Sequence, residues 1–484
     1  MTTRGEAQAD ETLNDLQADL EERFSLMSDL RDRLKEFDGR MEGAALAQAC
    51  GLLSSELEPA LAGRPRWTQD DIPRLRELKA TAHDRLRSLY GRFAGARAAP
   101  DWQSPSFMHA RRSQAGLQEG RIRGTVNDYK RDHHMDAAAY ERAFVKAYVD
   151  GSALVPVTAY ATVSGMAALS TVVMALMMRG TLACGPILVG RRSYFENRTL
   201  LKGLFPGRIV EADEMDAVGV VARAKAIQPH AVFLDTLCNA PDLPLPDLKT
   251  LVPGLCRALP KDACLVLDNS ALGPACQPLR VFPVLGHAKL LVLESLNKYH
   301  EHGFDRVTGG IVWGPIGSTR RLWSARMHGG TVLPDASVHA LPRPDRPRLL
   351  KRLARIERNA LILARALEDA PSSARTVVYP GLPSYPGRAW TNGLPFCGGN
   401  LTVTFRDLGS TVKLARRFLS RAIAGAKQEG LDLTAGTSFG FDVTRVYLTA
   451  LHAVEGTPPF LRISAGTETR QEIEALARVF NDAF

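Results

Sequence analysis

Two residues of this chain sit where an α/β protein places its reacting groups. Lys298 follows the apolar run Leu290-Leu-Val-Leu-Glu-Ser, and Asp268 closes the run Cys264-Leu-Val-Leu-Asp. Short, continuously apolar runs of this kind read as strands of a sheet covered on both faces. In an open α/β sheet, ligands bind in the crevice outside the carboxyl ends of the strands. An amine and a carboxylate delivered there suit pyridoxal phosphate (PLP), where a lysine forms the Schiff base and an acid holds the pyridine nitrogen protonated.

Four further features fall where a phosphate and a pyridine ring need them. Val163-Ser-Gly-Met-Ala-Ala opens a predicted helix, and a small-residue turn there exposes N–H groups at a positive dipole end. Ser295 and Asn297 flank Lys298 and are potential phosphate donors. Tyr194 follows the short strand pattern Ile187-Leu-Val-Gly and is a candidate to stack on the ring. Asn239 lies in Asp235-Thr-Leu-Cys-Asn, just past another strand pattern, and is a candidate partner for the ring oxygen. Each feature alone has an ordinary structural explanation: a helix cap, a surface lysine, a packed tyrosine, a strand-ending turn. Their order along the chain is what favours chemistry.

The elements that must position these residues alternate. Helical patterns over 140–148, 165–178 and 248–258 separate strand patterns over 186–190, 209–212, 231–235, 264–267, 289–293 and 309–313. Strands alternating with helices predict a mostly parallel sheet sandwiched by helices, an α/β architecture. A long helix over 347–369 then leads to a different pattern, with a strand at 400–405, a helix over 411–429 and a closing helix from Thr469; this predicts a smaller α+β domain. At the other end, Leu13, Leu16, Leu20, Phe24, Met27, Leu30, Leu34 and Phe37 recur at spacings of three and four, as on an amphipathic helix ended by Gly39. A second helix is predicted from Glu42 to about Leu57, before Pro59, and a third from near Thr68 to about Ala94. Residues 94–113 read as a linker. The expected divisions are 1–112, 113–345 and 346–484. The first is expected to be a helical bundle packed on the main body or on another subunit, because Pro and Gly interrupt any longer coiled coil.

Bulk properties narrow the classes. At 484 residues, 45% apolar and 23% charged, the composition is that of an ordinary globular protein. The net charge of +9 is spread along the chain without an aromatic-basic patch, so no nucleic-acid partner is expected. Seven scattered cysteines without paired spacing predict free thiols in a reducing cytoplasm. The polar N-terminus predicts no signal peptide. The apolar run 159–178 reads as a buried helix opening on a Gly turn, so no membrane partner is expected. His133-His134 and His300-x-His302 complete no recognisable metal set; metal is expected to be absent and these histidines to contact substrate at the site rim.

The order of motifs resembles the cystathionine γ-synthase-like, Cys/Met-metabolism family of fold type I PLP-dependent enzymes, over roughly residues 125–484. Ser295-Leu-Asn-Lys-Tyr with Asp305 and Gly309-Gly resembles the family's lysine motif, and Leu267-Asp-Asn-Ser its Asp-Asn-Thr. Ser164-Gly-Met resembles its phosphate loop, and Tyr129-Lys-Arg131 its Tyr-x-Arg. Thr437-Ser438-Phe-Gly and Phe460-Leu-Arg462-Ile-Ser resemble its C-terminal substrate motifs. The resemblance implies a seven-stranded, mostly parallel sheet with a smaller C-terminal domain. It implies Lys298, Tyr194 and Asp268 as catalytic residues. Ser164, Gly165, Met166, Asn239, Ser295 and Asn297 would hold the cofactor, with Tyr129 and Arg131 reaching a neighbouring subunit's phosphate. Arg462 would clamp the substrate carboxylate, near Ser438 and Glu196. A homodimer or homotetramer with shared sites follows from that arrangement.

The chain also departs from the family. Tyr194-Phe-Glu-Asn stands for Tyr-Gly-Gly-Thr and brings Glu196 to the rim. Asn297 replaces Thr or Ser beside the lysine, and the order Gly-His after it becomes His302-Gly303. Cofactor anchoring is kept while substrate-facing residues have changed. The expected reaction is γ-replacement on an activated homoserine ester or S-adenosylmethionine with a nucleophilic co-substrate, through a vinylglycine-type quinonoid, in specialised metabolism. The alternatives are a β- or γ-lyase of a sulfur amino acid and a non-catalytic paralogue that binds a partner through residues 1–112.

Overall fold

The computed structural model describes residues 4–36, 41–99, 129–152, 154–282, 288–370, 375–405, 411–449 and 459–484. The expected helix stop at Gly39, Phe37 of the apolar stripe, and most of the expected linker lie outside them.

The N-terminal segment forms three helices, α1 (Arg4–Lys35), α2 (Met41–Ala62) and α3 (Ile72–Ala98). The apolar stripe of α1 buries Leu16, Leu20, Met27 and Leu30 against Leu46, Leu53 and Leu57 of α2 and Leu75, Leu86 and Tyr90 of α3. Full burial of each such side chain contributes roughly 1.5–3 kcal/mol. Two boundaries differ from expectation. α2 runs through Pro59, and because Pro59 and Ser55 both face solvent, the carbonyl that proline leaves unpaired stays open to water. Thr68 caps a single 3₁₀ turn, its N–H 2.9 Å from Asp71 Oδ2, before α3 begins at Ile72. The bundle packs on the main body and does so with charge. Asp15, Asp19 and Glu22 form a second, polar stripe on α1 that is buried as fully as the apolar one.

The main body follows. α4 (Met135–Tyr148) precedes β1 (Val157–Thr162), α5 (Gly165–Met178), β2 (Ile187–Gly190), α6 (Phe195–Leu204), β3 (Ile209–Ala212), α7 (Ala217–Ile227), β4 (Ala231–Asp235), α8 (Leu248–Ala258), β5 (Cys264–Asp268), β6 (Lys289–Ser295) and β7 (Gly310–Pro315). The seven strands form one sheet in the order β1-β7-β6-β5-β4-β2-β3. β7 is antiparallel to both neighbours and the other pairs are parallel. The continuously apolar runs are explained by two cores. Val232, Leu234, Leu265, Leu267, Leu290 and Val292 face one, shared with α8. Ala231, Phe233, Cys264, Val266, Leu291 and Leu293 alternate onto the other, against α5. The run 159–178 divides at Val163-Ser164 into strand and helix; its strand half was not legible because β1 is only half covered.

α9 (Leu322–Gly329) and α10 (Asp335–Ala340) lead to the long α11 (Arg346–Asp369). Beyond it, β8 (Arg375–Val378), β9 (Asn400–Phe405), α12 (Thr411–Gln428), β10 (Thr434–Ala435), β11 (Arg445–Leu448), β12 (Leu461–Ser464) and α13 (Arg470–Ala483) build a second sheet in the order β10-β11-β12-β9-β8. Its core includes Leu401, Val403, Leu461 and Ile463 under Leu363, Phe418 and Phe480. All seven cysteines are free, and Cys184 is exposed. Among the described residues, no helix is long and apolar enough to cross a membrane.

Candidate active site

β4, β5 and β6 run parallel, so their carboxyl ends open on the same side of the sheet. The second sheet faces these ends, and a cleft of about 1050 Å³ lies between them. Its walls carry Ser164, Tyr194, Asp268, Lys298, Ser438 and Arg462.

Asp268 is the last residue of β5 and pairs in register with Asp235 of β4. Its carboxylate accepts from Ser270 N at 3.0 Å and from Asn197 Nδ2 at 3.1 Å. Burial still pushes its pKa up, because neither donor carries charge. Asp235 accepts from the Tyr194 N–H at 2.7 Å, and burial followed by the adjacent Asp268 drives it well above the carboxylate range. Of the two, Asp235 is held the more strongly toward its protonated form, and Asp268 has two donors to its carboxylate. A cation beside Asp268 would complete it, and among the described residues no ion pair does so.

Lys298 leaves the sheet three residues after β6 ends. Its Nζ donates to Ser438 Oγ at 2.6 Å and lies 5.3 Å from the Phe439 ring centre. Burial first, then the neighbouring Arg462, lowers the amine to about 8. About a tenth of it is thus the neutral nucleophile at pH 7, far more than of a lysine at its ordinary value. Arg462, on β12, is 5% exposed. It donates to Asn239 Oδ1 and to the Ser438 carbonyl, each at 3.2 Å, and burial lowers it to about 10. Its Nε has no partner, and no carboxylate among the described residues pairs with it. Asn239 gives its amide oxygen to Arg462, so its amide N–H groups are what it offers a ligand.

The phosphate-sized end of the cleft is made by the start of α5. Ser164 caps the helix, its Oγ accepting from Ala167 N at 3.0 Å. The N–H groups of Gly165 and Met166 are first-turn donors with no intrahelical acceptor. Two glycines let the parts close up. A Cβ at Gly165 would lie 3.1 Å from Ser295 Cβ, and one at Gly310 would lie 2.2 Å from the Ser164 carbonyl oxygen. Ser295 Oγ donates to Asn297 Oδ1 beside this turn.

These residues fit PLP. The helix end with its hydroxyls takes an anion. Asp268 lacks a cation and a protonated ring nitrogen supplies one. Lys298 offers an amine to a carbonyl carbon, and Arg462 asks for a carboxylate. Tyr194 caps α6 on the cleft wall, and burial together with Glu196 keeps its phenol protonated, above the usual tyrosine value. Glu196 lines the same wall.

Other sequence expectations fare differently. Tyr129 and Arg131 lie outside the cleft; Arg131 sits 5.5 Å from the Tyr129 ring and pairs with Asp132 at 3.1 Å. The histidines are not rim residues. His300 is buried against Phe144 and Tyr148 with its Nε2 3.0 Å from Glu294, and His302 is buried with its Nδ1 2.8 Å from Glu22. Their partners lie on other elements, in the case of Glu22 in the N-terminal bundle, so spacing alone pointed the wrong way. His133 packs on Trp323, and His134 meets Asp335, which also accepts from Lys130. Sequence reasoning missed Asp235, Asn197 and Ser270. Asp235 ends its strand just as Asp268 does, and Asn197 stands one residue past Glu196; both signals were present.

A profile of Cys/Met metabolism PLP-dependent enzymes matches residues 87–475. The bifunctional enzyme flvA of Aspergillus flavus is 28% identical over 294 residues, covering 60% of this chain and 35% of that protein. The cystathionine gamma-synthase of Mycobacterium tuberculosis is 29% identical over 181 residues, covering 37% and 42%. The chain thus spans less than half the length of these relatives. Among solved structures, cystathionine gamma synthase from Xanthomonas oryzae pv. oryzae in complex with cystathionine matches with a TM-score of 0.60 at 20% identity, covering 82% of this chain and 98% of that one. A methionine gamma lyase from Micromonospora echinospora matches with a TM-score of 0.58 at 21% identity, covering 73% and 89%.

Proposed function

The chain belongs to the Cys/Met metabolism family of PLP-dependent enzymes, and from that premise we propose that it catalyses γ-replacement on a homoserine- or methionine-derived amino acid. The observation that carries the reading is a pair of basic groups, half-buried Lys298 and buried Arg462, that share one cleft of about 1050 Å³ and form no ion pair among the described residues. Ligand clefts usually span roughly 300–1,000 Å³, and this one lies at the top of that range, as a cofactor and an amino acid together require.

Bound PLP supplies the electron sink for a carbanion at the amino acid's Cα. The chain's own residues do the rest. Arg462 takes the α-carboxylate in a bidentate pair, relieving its own lack of an anion. Lys298, with its amine near 8, removes the Cα proton and returns it. Ser438 holds that amine through its hydroxyl. Asp268 keeps a proton on the ring nitrogen, and Asn197 and Ser270 keep Asp268 in place. Tyr194, held protonated, offers a stacking face and a proton donor. Glu196 brings negative charge to the wall, which suits a cationic sulfonium leaving group such as that of S-adenosylmethionine; an activated homoserine ester is the other donor in view.

Tyr129, 44% exposed and outside its own cleft, supports a homodimer or homotetramer in which Tyr129 and Arg131 complete a second subunit's site. The changed rim supports a role in specialised metabolism, and the seven free cysteines support a cytoplasmic setting. The test is to incubate the enzyme with each donor, with and without a thiol or carbon nucleophile, and follow the γ-substituent by mass spectrometry. A product joining donor and nucleophile is expected. An α-keto acid formed without any nucleophile would make it a lyase, and intact donors throughout would end the γ-chemistry assignment.

A further inference from the structure

Two loops meet at the reacting amine. One runs from Lys298 to Gly309 and the other from Gly436 to Val443. They touch through the 2.6 Å bond between Lys298 and Ser438, and a Cβ at Gly440 would lie 2.7 Å from the Lys298 carbonyl oxygen. Both loops hold non-glycine residues in the left-handed region: His302 at φ 54°, Asp305 at 51° and Ser438 at 71°. Such conformations persist only where surrounding contacts over-determine them.

Much of that determination comes from the N-terminal bundle. Phe304 is 1% exposed and sits in the bundle's own apolar core, its ring 5.3 Å from Tyr90 and 5.4 Å from His83. Arg87 of α3 donates to the Phe304 carbonyl at 2.6 Å. Glu22 of α1 holds His302 at 2.8 Å. On the other loop, Asp442 pairs with Arg23 of α1 and, at 3.0 Å, with His83 of α3. Arg352 of α11 ties the two together: it donates to Glu22 at 3.0 Å, to Asp442 at 2.6 Å and to the Gly440 carbonyl at 3.0 Å. Gly303 permits this approach, since a Cβ there would lie 2.8 Å from Arg352 Nη2.

We propose that the N-terminal bundle is a positioning element of the active site: Glu22, Arg23 and His83 hold the Lys298 and Ser438 loops in register and thereby set the place of the amine without touching substrate. The proposal rests on the reading of Lys298 as the cofactor lysine. It makes the first hundred residues part of the catalytic unit, although the reacting groups all lie beyond residue 160.

The test compares purified holoenzymes. Glu22→Gln removes the charge facing Arg352 and Arg355 while keeping the shape. A displaced reacting group costs about 10- to 100-fold, so kcat is expected to fall by that order with KM for the amino acid little changed. The cofactor is expected to dissociate about tenfold faster, and the midpoint of its pH-dependent absorbance to move. His83→Ala, which loosens both Asp442 and Phe304, is expected to do the same and carries the test if Glu22→Gln does not fold. Leu46→Ala weakens the bundle core from α2 and is expected to leave all three readouts unchanged below the melting transition. Wild-type values in a folded Glu22→Gln or His83→Ala enzyme would overturn the proposal, as would an equal change in Leu46→Ala. Lys298→Ala serves as the separate check: loss of the cofactor absorbance band supports the underlying reading, and its retention would overturn that reading itself.

Discussion

Two of the places where this molecule buries charge are built in opposite ways. Between the N-terminal bundle and the body, three carboxylates each meet more than one cation: Asp19 with Arg23, Arg355 and Lys79, Glu22 with Arg352 and Arg355, and Asp442 with Arg23, Arg352 and His83. In the cleft, Arg462 is withdrawn from water and Lys298 and Asp268 partly so, and none of the three forms an ion pair among the described residues. The proton affinities follow. Burial raises the pKa values of Asp19, Glu22 and Asp442, but Arg355, Arg352 and Arg23 respectively lead the cations that outweigh it, so all three are held low. In the cleft nothing outweighs burial: Asp268 is pushed up, Lys298 down to about 8 and Arg462 down to about 10. The completed network here is a structural joint, and the incomplete one in the cleft is a place for a ligand.

Removing a cleft charge is expected to cost chemistry. Lys298→Ala removes the proposed nucleophile and base, and the rate of γ-substituent loss is expected to fall about 10³-fold or more. Arg462→Met leaves the α-carboxylate without its partner; kcat/KM is expected to drop about 100-fold, measured against a substrate carboxamide that should be scarcely affected.

Removing a joint charge is expected to cost stability. Glu22→Ala leaves Arg352 with Asp442 alone and Arg355 with Asp19 alone, for which about 3 kcal/mol, the low end for breaking a buried pair, is expected in denaturant unfolding. The exposed bundle pair Arg85 and Glu56 is the control: Glu56→Gln is expected to cost under about 0.5 kcal/mol. Glu22 and Asp442 have depressed folded values, so their contribution is complete above the unfolded values of 4.5 and 3.8 and is lost as pH falls through the lower folded ones. Acid is therefore expected to loosen the bundle before the sheet, read by hydrogen exchange.

The smallest effect is a pH slope. Lys298 has a lowered folded value, so it opposes folding fully below about 8, and that penalty is relieved as pH rises toward 10.5. The neutral amine fraction of the folded protein grows about tenfold per unit up to about 8. The rate at which cofactor-free protein recaptures PLP is expected to rise with that slope and level off above pH 8. A flat profile would mean that the amine is not as desolvated as its surroundings imply.

The sequence by itself determined the sheet and its strand ends. Continuous apolar runs require cover on both faces, so Asp268 and Lys298 had to emerge at one edge, and the Ser164-Gly165 turn had to open a buried helix. The apolar stripe of α1 was equally legible, because hydrophobic periodicity is a local signal. Its polar stripe was not, since Asp15, Asp19 and Glu22 look like solvated positions until Arg358, Arg355 and Arg352 are laid against them. Only the tertiary structure set His302 on Glu22, 280 residues away, and joined Arg462, Asn239 and Ser438 across two sheets. The reason is physical: burial of apolar surface is written into local pattern, whereas the sign and worth of a charge depend on which distant group comes to face it.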